Sequence, residues 1–178
     1  MNAMDAEPLT RRLPIVGVLG SGTETHQELS APLGAALAGM KVHLLTGGGG
    51  GVMGAVSEAF ARESDREGLV LGVLPGDATG ASPSGYPNSW VELPIRTHLP
   101  LSGDQGKDPM SRNHLNVLSA DVLIALPGDA GTRSELELAL RYSRPVVRHA
   151  RDDGGVEGVE TFTDLEDVLA FVREHTPL

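Results

Sequence analysis

The sequence contains no cysteine, which excludes disulfides, thiolate metal ligands and cysteine nucleophiles and is typical of the reducing cytoplasm. No stretch approaches the roughly 18 consecutive apolar residues that a membrane-spanning helix needs. Basic residues are scarce, at 14 Lys and Arg against 24 Asp and Glu. Nucleic acids and anionic membranes both bind clustered positive charge, so a net charge of -10 predicts that neither is a partner. The absence of cysteine predicts a cytoplasmic location.

Glycine is abundant, at 23 of 178 residues, whereas aromatic residues make up only 3% of the chain. The length suits one domain and leaves no room for two full ones. Residues 1–12 lack the apolar segment of a signal peptide and are predicted to form a disordered tail. Residues 13–178 are therefore expected to form a single domain.

Short apolar runs alternate with helical patterns along the chain, and most changeovers are marked by glycine. Strands are predicted at 14–20, 41–46, 69–74, 90–96, 121–126 and 145–149, and helices at 29–40, 52–64, 111–118, 134–142 and 164–175. Long loops are expected at 75–89 and 101–109. Apolar strands separated by helices predict a Rossmann-like α/β fold, a doubly wound parallel sheet with helices on both faces.

Three glycine-rich turns follow predicted strands, at the sheet edge where such folds bind ligands. The residues concerned are Gly20, Ser21 and Gly22; Gly47, Gly48, Gly49, Gly50 and Gly51 with Val52 and Met53; and Pro127, Gly128, Asp129, Ala130, Gly131 and Thr132. Glycine lets a phosphate approach backbone N–H groups at a helix N-terminus, although βα turns also use glycine for geometry alone. Three such turns at one edge predict a phosphate-bearing ligand. No GxxxxGK[ST] loop is present, and the first turn, GVLGSGTE, lacks the GxGxxG dinucleotide fingerprint.

The segment 111–135, SRNHLNVLSADVLIALPGDAGTRSE, carries the most specific signal. Thr132 is expected at the start of a helix, with Glu135 three residues later. This spacing fits a capping box, in which Glu135 bonds back to the backbone of Thr132. It also fits a carboxylate aimed at a sugar hydroxyl or a developing oxocarbenium ion beside a bound phosphate.

The combination of TGGGGGVMGA at 46–55, Arg112 and PGDAGTRSE at 127–135 resembles the Lonely Guy (LOG) superfamily. Hydrolytic LOG proteins cleave the N-glycosidic bond of cytokinin nucleoside monophosphates. The resemblance implies phosphate binding by Gly128, Gly131 and Thr132, a catalytic pair of Glu135 and Arg112, and a homo-oligomer, a dimer or larger. The label of lysine decarboxylase attached to many such proteins has no support in these residues.

Other positions are more similar to the molybdenum cofactor carrier proteins of the same superfamily. Asp129 replaces the second glycine of the hydrolytic motif, and the pattern RNxxNVLSxD begins at Arg112. The amides of Asn113 and Asn116 can donate to and accept from a pterin edge or a phosphate, or simply be polar residues of a helix surface. Ser21 is expected to contact the ligand through its hydroxyl or its N–H.

Three functions stay open from the sequence: a carrier of the molybdenum cofactor, a phosphoribohydrolase acting on nucleoside 5′-monophosphates, and a nucleotide sensor without turnover. Whether the chain is an enzyme is not decided by these residues. The six histidines show neither HxH nor HExxH spacing, so no metal held by protein ligands is expected. His114 and Lys107 are interpreted as surface residues. The predicted partner is a small phosphate-bearing molecule, either the molybdenum cofactor or a nucleoside monophosphate.

Overall fold

The computed structural model describes residues 12–151 and 155–176. The predicted disordered tail at 1–12 lies outside the described residues except for Arg12, whose guanidinium donates to the Asp121 carboxylate at 2.8 Å. The described elements are β1 (Ile15–Leu19), α1 (Gln27–Ala38), β2 (His43–Thr46), α2 (Gly51–Ala61), β3 (Val70–Leu74), β4 (Leu93–Arg96), a 3-10 helix (Gly103–Gln105), α3 (Asn113–Ser119), β5 (Val122–Ala125), α4 (Ala130–Arg141), β6 (Val146–His149), β7 (Glu160–Phe162) and α5 (Leu165–His175).

The strands form one seven-stranded sheet in the order β4-β3-β2-β1-β5-β6-β7, and every neighbouring pair is parallel. The chain runs outward from β1 to the β4 edge and then returns to place β5 on the other side of β1. The loops that follow β1 and β5 therefore lead to opposite halves of the sheet and leave a crevice between them. The predicted doubly wound fold is confirmed.

Both faces of the sheet are covered, which explains why the central strands are apolar without alternation. On one face, Val18 and Ile124 belong to a buried cluster that also contains residues of α1, α2 and α5. On the other face, Leu19 and Leu123 belong to a second cluster with residues of α3 and α4. Helix α3 therefore packs beside α4 on the second face, and its N-terminal residues lie near the crevice.

Two departures from the sequence prediction affect the site. Helix α4 begins at Ala130, four residues before the predicted start, because the turn PGDAGT itself supplies the first helical residues. Within the loop predicted at 101–109, the chain forms the 3-10 helix that follows Ser102. A third departure lies far from the site: β7 was not predicted, since two of its three residues are polar and exposed.

Candidate functional site

A cleft of about 250 Å³ opens at the crevice between the ends of β1 and β5. Eleven of the residues singled out from the sequence line it: Gly20, Gly22, Gly47, Met53, Arg112, Asn113, Asp129, Ala130, Gly131, Thr132 and Glu135. Three separate turns and two helices thus meet at one hollow, which is what the positions of the glycine-rich turns predicted. The sequence missed the other lining residues: Val18, Leu19, Tyr86, Ser102, Gly103 and Asp104.

The remaining residues singled out from the sequence do not line the cleft. They are Ser21, Gly48, Gly49, Gly50, Gly51, Val52, Asn116, Pro127 and Gly128. Most of them lie one layer behind its wall and shape the turns. Gly128 is an example, since a Cβ there would overlap the Thr132 side chain and come within 2.9 Å of the Gly20 carbonyl carbon.

Ser21 connects the three turns to each other. Its N–H donates to the Pro127 carbonyl at 3.1 Å, and its own carbonyl accepts from the Val52 N–H at 2.9 Å. Its hydroxyl oxygen accepts from the N–H groups of Thr23 and Glu24 at 3.2 and 3.0 Å. Because its N–H is used within the protein, Ser21 holds the turns in place, and a contact of its hydroxyl with a ligand stays a prediction.

The glycines of the 47–51 loop are required by the protein's own packing. A Cβ on Gly47 would overlap the Arg112 guanidinium, and a Cβ on Gly49 would come within 2.8 Å of the Tyr86 ring. Gly48 and Gly51 adopt φ of +77° and +56°, which side-chain-bearing residues rarely adopt. The missing side chains in this loop thus make room for Arg112 and Tyr86, whereas the sequence interpretation reserved that space for a phosphate.

Gly131 is different, because it lies in the first turn of α4 with open space beside it. A Cβ there would find only ordinary contacts with Gly103, at 3.7 Å and beyond. The N-terminus of α4 is therefore accessible from the cleft, with its backbone N–H groups and its positive dipole end directed toward the hollow.

Glu135 is not part of a capping box. The N-cap residue of α4 is Asp129, and Thr132 lies inside the helix. The Glu135 carboxylate instead accepts from Asn116 Nδ2 at 2.9 Å, and its Oε1 lies 3.8 Å from an Arg112 guanidinium nitrogen. The carboxylate thus joins two residues of the α3 segment at the wall of the cleft.

Arg112, Asn116 and Glu135 form a buried polar group, with exposed fractions of 5%, 2% and 7%. Burial raises the pKa of Glu135 above its ordinary value, while the Arg112 charge and the Asn116 hydrogen bond act in the opposite direction. Arg112 Nε and Asn116 Oδ1 are buried without a hydrogen-bond partner among the described residues. A buried charge is costly unless it is paired, so Arg112, which lines the cleft, favours an anionic group that enters from the cleft.

Two further carboxylates, Asp104 and Asp129, line the same cleft. Asp129 Oδ2 lies 3.5 Å from the Ser21 hydroxyl, which places it beside the first glycine turn. A phosphate dianion within a few ångströms of Asp129 would be repelled by on the order of 1 kcal/mol or more. The cleft therefore suits a ligand that carries hydrogen-bond donors as well as an anionic group.

His114 and Lys107 have roles outside the cleft. His114 Nδ1 lies 2.7 Å from the Tyr142 hydroxyl, and its Nε2 lies 3.0 Å from the Asp108 carbonyl, so it holds α3 to α4 and to the preceding loop. Lys107 forms an ion pair with Glu137 on α4.

Across residues 12–151 and 155–176, no group of three or more acidic or histidine side chains could hold a metal ion. In the same part of the chain, no helix is long and apolar enough to cross a bilayer.

Comparison with known proteins finds similar chains, among them the following three. The molybdenum cofactor binding protein of Rippkaea orientalis is 29% identical, with a TM-score of 0.72 over 93% of this chain and 98% of that one. The molybdenum cofactor carrier protein of Chlamydomonas reinhardtii is 31% identical, with a TM-score of 0.67 over 92% and 98%. An uncharacterized protein of Archaeoglobus fulgidus is 29% identical over 163 residues, which are 90% of this chain and 95% of that one.

Residues 13–173, nearly all of the folded chain, match the SLOG cluster4 family. This match confirms the resemblance to LOG-type proteins, and the similar structures agree with the likeness to molybdenum cofactor carriers. The chain belongs to the SLOG cluster4 family.

Proposed function

We propose that the cleft binds a small phosphate-bearing molecule with a planar heterocycle, and that the chain is a carrier-like protein for the molybdenum cofactor. The observation that carries this proposal is Arg112, a buried cation that lines the cleft and whose one ion pair among the described residues is with Glu135 at 3.8 Å. An anionic group in the cleft would add a second partner for this cation, whose guanidinium lies 3.8 Å from the Glu135 carboxylate. The residues present therefore fit the anionic end of the cofactor.

The other lining residues suit the rest of such a ligand. The accessible first turn of α4, at Gly131 and Thr132, offers backbone N–H groups to phosphate oxygens. The Asn113 amide lines the cleft and can both donate to and accept from a pterin edge. Asp104 and Asp129 can accept from the ring N–H and amino groups that a pterin carries. Two similar proteins named for binding or carrying this cofactor give the proposal independent support.

Reconstitution tests the proposal. Purified protein is mixed with the molybdenum cofactor released from a molybdoenzyme, and the cofactor that stays bound and active after gel filtration is measured. We expect wild-type protein to retain it and Arg112→Gln to lose about tenfold or more in affinity, because a charge-assisted contact contributes roughly 1.5–3 kcal/mol. Arg62→Gln is the matched control, since Arg62 does not line the cleft and, within the described part of the chain, contacts Glu58 and the face of Trp90. Indifference of the wild-type protein to micromolar cofactor would overturn the proposal.

A phosphoribohydrolase is the second candidate, and the pairing of Glu135 with Arg112 favours it. A carboxyl group whose pKa is raised by burial suits general acid work beside an anion-binding arginine. In this reading, release of adenine from AMP by wild-type protein should fall by about 10²–10³-fold or more in Glu135→Ala, with AMP binding nearly intact. No adenine release by the wild-type protein would remove this candidate. Saturable AMP binding with neither activity would indicate a nucleotide sensor.

We further propose that the chain forms a homo-oligomer through the face that carries α3. The pairing of Leu71 with Leu93 and of Val73 with Ile95 turns both β4 residues toward this face of the sheet. Leu93 and Ile95 are 47% and 40% exposed there, and Leu118 of α3 is 41% exposed. Apolar side chains this exposed on one face favour association with a second copy of the chain.

A further inference from the structure

Tyr86 stands out in a chain with only six aromatic residues. All six lie within the described residues, and the other five are engaged elsewhere. Phe60 and Phe162 are buried in the core, Phe171 packs against His175, the Arg62 guanidinium lies over Trp90, and Tyr142 bonds to His114. Tyr86 alone among them lines the cleft, and it is only half-buried. No other residue there offers a flat apolar surface.

The Tyr86 ring is held in place by the glycine loop. A Cβ on Gly49 would lie 2.8 Å from both Cζ and the hydroxyl oxygen of Tyr86, so the ring rests directly on the backbone of Gly49. Asn88 fixes the neighbouring chain to the same loop, because its N–H donates to the Gly48 carbonyl at 2.7 Å and its Nδ2 to the Gly49 carbonyl at 2.8 Å. The ring is therefore positioned before any ligand arrives.

The same loop positions Arg112 next to the ring. The guanidinium lies over Gly47 as the ring lies over Gly49, and a Cβ on Gly47 would come within 2.7 Å of Arg112 Cζ. Two residues span at most about 7 Å of chain. A cation and an aromatic ring, each packed on a glycine of the same loop, thus line one cleft of about 250 Å³.

We propose that Tyr86 determines specificity by stacking on the planar ring of the ligand while Arg112 binds its anionic group. This inference rests on the proposed function and names the chemical class that the cleft selects: flat nitrogen heterocycles carrying a phosphate, in preference to sugar phosphates without a heterocyclic base. Stacking of a heterocycle on an aromatic side chain is tolerant of ring identity, so purines and pterins would both fit the wall.

The test compares three ligands and three variants by calorimetric titration. The ligands are AMP, the molybdenum cofactor and ribose 5-phosphate, which has the sugar and the phosphate without a nitrogen heterocycle. The variants are Tyr86→Leu, Tyr86→Phe, and Trp90→Leu as the matched control, which removes an aromatic side chain from the same loop outside the cleft. We expect Tyr86→Leu to weaken each ring-bearing ligand that wild-type protein binds by about tenfold or more. Tyr86→Phe and Trp90→Leu should stay within about threefold of wild type.

The outcomes separate this inference from the proposed function. Unchanged affinity of Tyr86→Leu for a bound ring-bearing ligand would overturn the inference and leave the proposed function standing. An equal loss of ribose 5-phosphate binding would assign Tyr86 to supporting the glycine loop and would also overturn it. An equal loss in Tyr86→Phe would assign the effect to the hydroxyl group and overturn the stacking role. Failure of wild-type protein to bind either ring-bearing ligand would overturn the proposed function, and this inference with it.

Discussion

At the scale of single residues, the charge state of Glu135 links stability to the site. Burial raises the pKa of Glu135 in the folded chain, so the folded state holds an extra proton between the unfolded and folded pKa values. The free energy of unfolding therefore falls as the pH rises through that window. We expect Glu135→Gln to be more stable than wild type at neutral pH, by about 1.4 kcal/mol per unit of pKa difference. The difference in stability between the variant and wild type should disappear as the pH falls below the pKa of Glu135 in the unfolded chain.

Urea unfolding between pH 4 and 8 would measure this effect, and Glu137 on the same helix supplies a control of opposite sign. The hydrogen bond from Lys107 is the main cause that holds the pKa of Glu137 below its ordinary value. The ionised form of Glu137 thus adds stability above its unfolded pKa, and that stability is lost as the pH falls through the folded value. Glu137→Gln should therefore lose a little stability at neutral pH. A Glu135→Gln variant less stable than wild type at neutral pH would show that attraction to Arg112 outweighs burial.

Sequence patterns identified the chemistry-bearing residues but could not assign their local roles. The spacing of Thr132 and Glu135 fits both a capping box and a site carboxylate, and nothing within that segment distinguishes them. The choice is made by Arg112 and Asn116, which reach Glu135 from another helix. Tyr86 could not be predicted for a similar reason, because it lies in a loop without periodicity. Its place at the cleft depends on packing against Gly49 and on the hydrogen bond from Asn88 to that glycine.

At the scale of elements, two glycines that look alike in the sequence are expected to respond differently to alanine. Gly47→Ala would push a Cβ into the Arg112 guanidinium, the far end of a flexible side chain, so we expect Arg112 to be displaced, ligand binding to weaken, and stability to fall by about 1 kcal/mol. Gly131→Ala adds a Cβ with only ordinary contacts in the first turn of α4. Alanine is the better helix former by about 1 kcal/mol, so this variant should be at least as stable as wild type.

Thermal unfolding of both alanine variants, paired with cofactor retention, would check these roles. Loss of retention in Gly131→Ala without loss of stability would support close approach of the ligand to the N-terminus of α4. Equal and small effects of the two substitutions would contradict the packing argument for Gly47.

The strands themselves were predictable from the sequence, since β3 and β5 are continuous apolar runs. Their predicted bounds differ from the observed ones by one residue at most at each end. The start of α4 was not predictable, because its first turn is built from glycine, alanine and aspartate, which also form loops.

At the scale of the whole molecule, the fold and the family were accessible from the sequence because they depend on order along the chain. Apolar runs, helices and glycine turns alternate, and that alternation fixes a parallel sheet whose strand ends meet at one edge. Net charge is equally a property of the entire chain, and it predicts a partner that is small rather than polyanionic. The order of strands and helices along the chain does not show which surface stays exposed once the helices have packed.

The uncovered surface leads to a prediction about assembly. Strand β4 is an edge strand with all four residues exposed, and Leu93 and Ile95 face the same side of the sheet as α3. We expect sedimentation at micromolar concentrations to show at least twice the monomer mass, and Leu118→Glu to shift the protein toward monomer, because a buried carboxylate would oppose the interface. Thr161→Glu is the control, since it adds the same charge to β7 at the opposite edge of the sheet. Wild-type protein that sediments as a monomer at every concentration would contradict the proposed face, and the exposed leucines would then need a different partner to cover them.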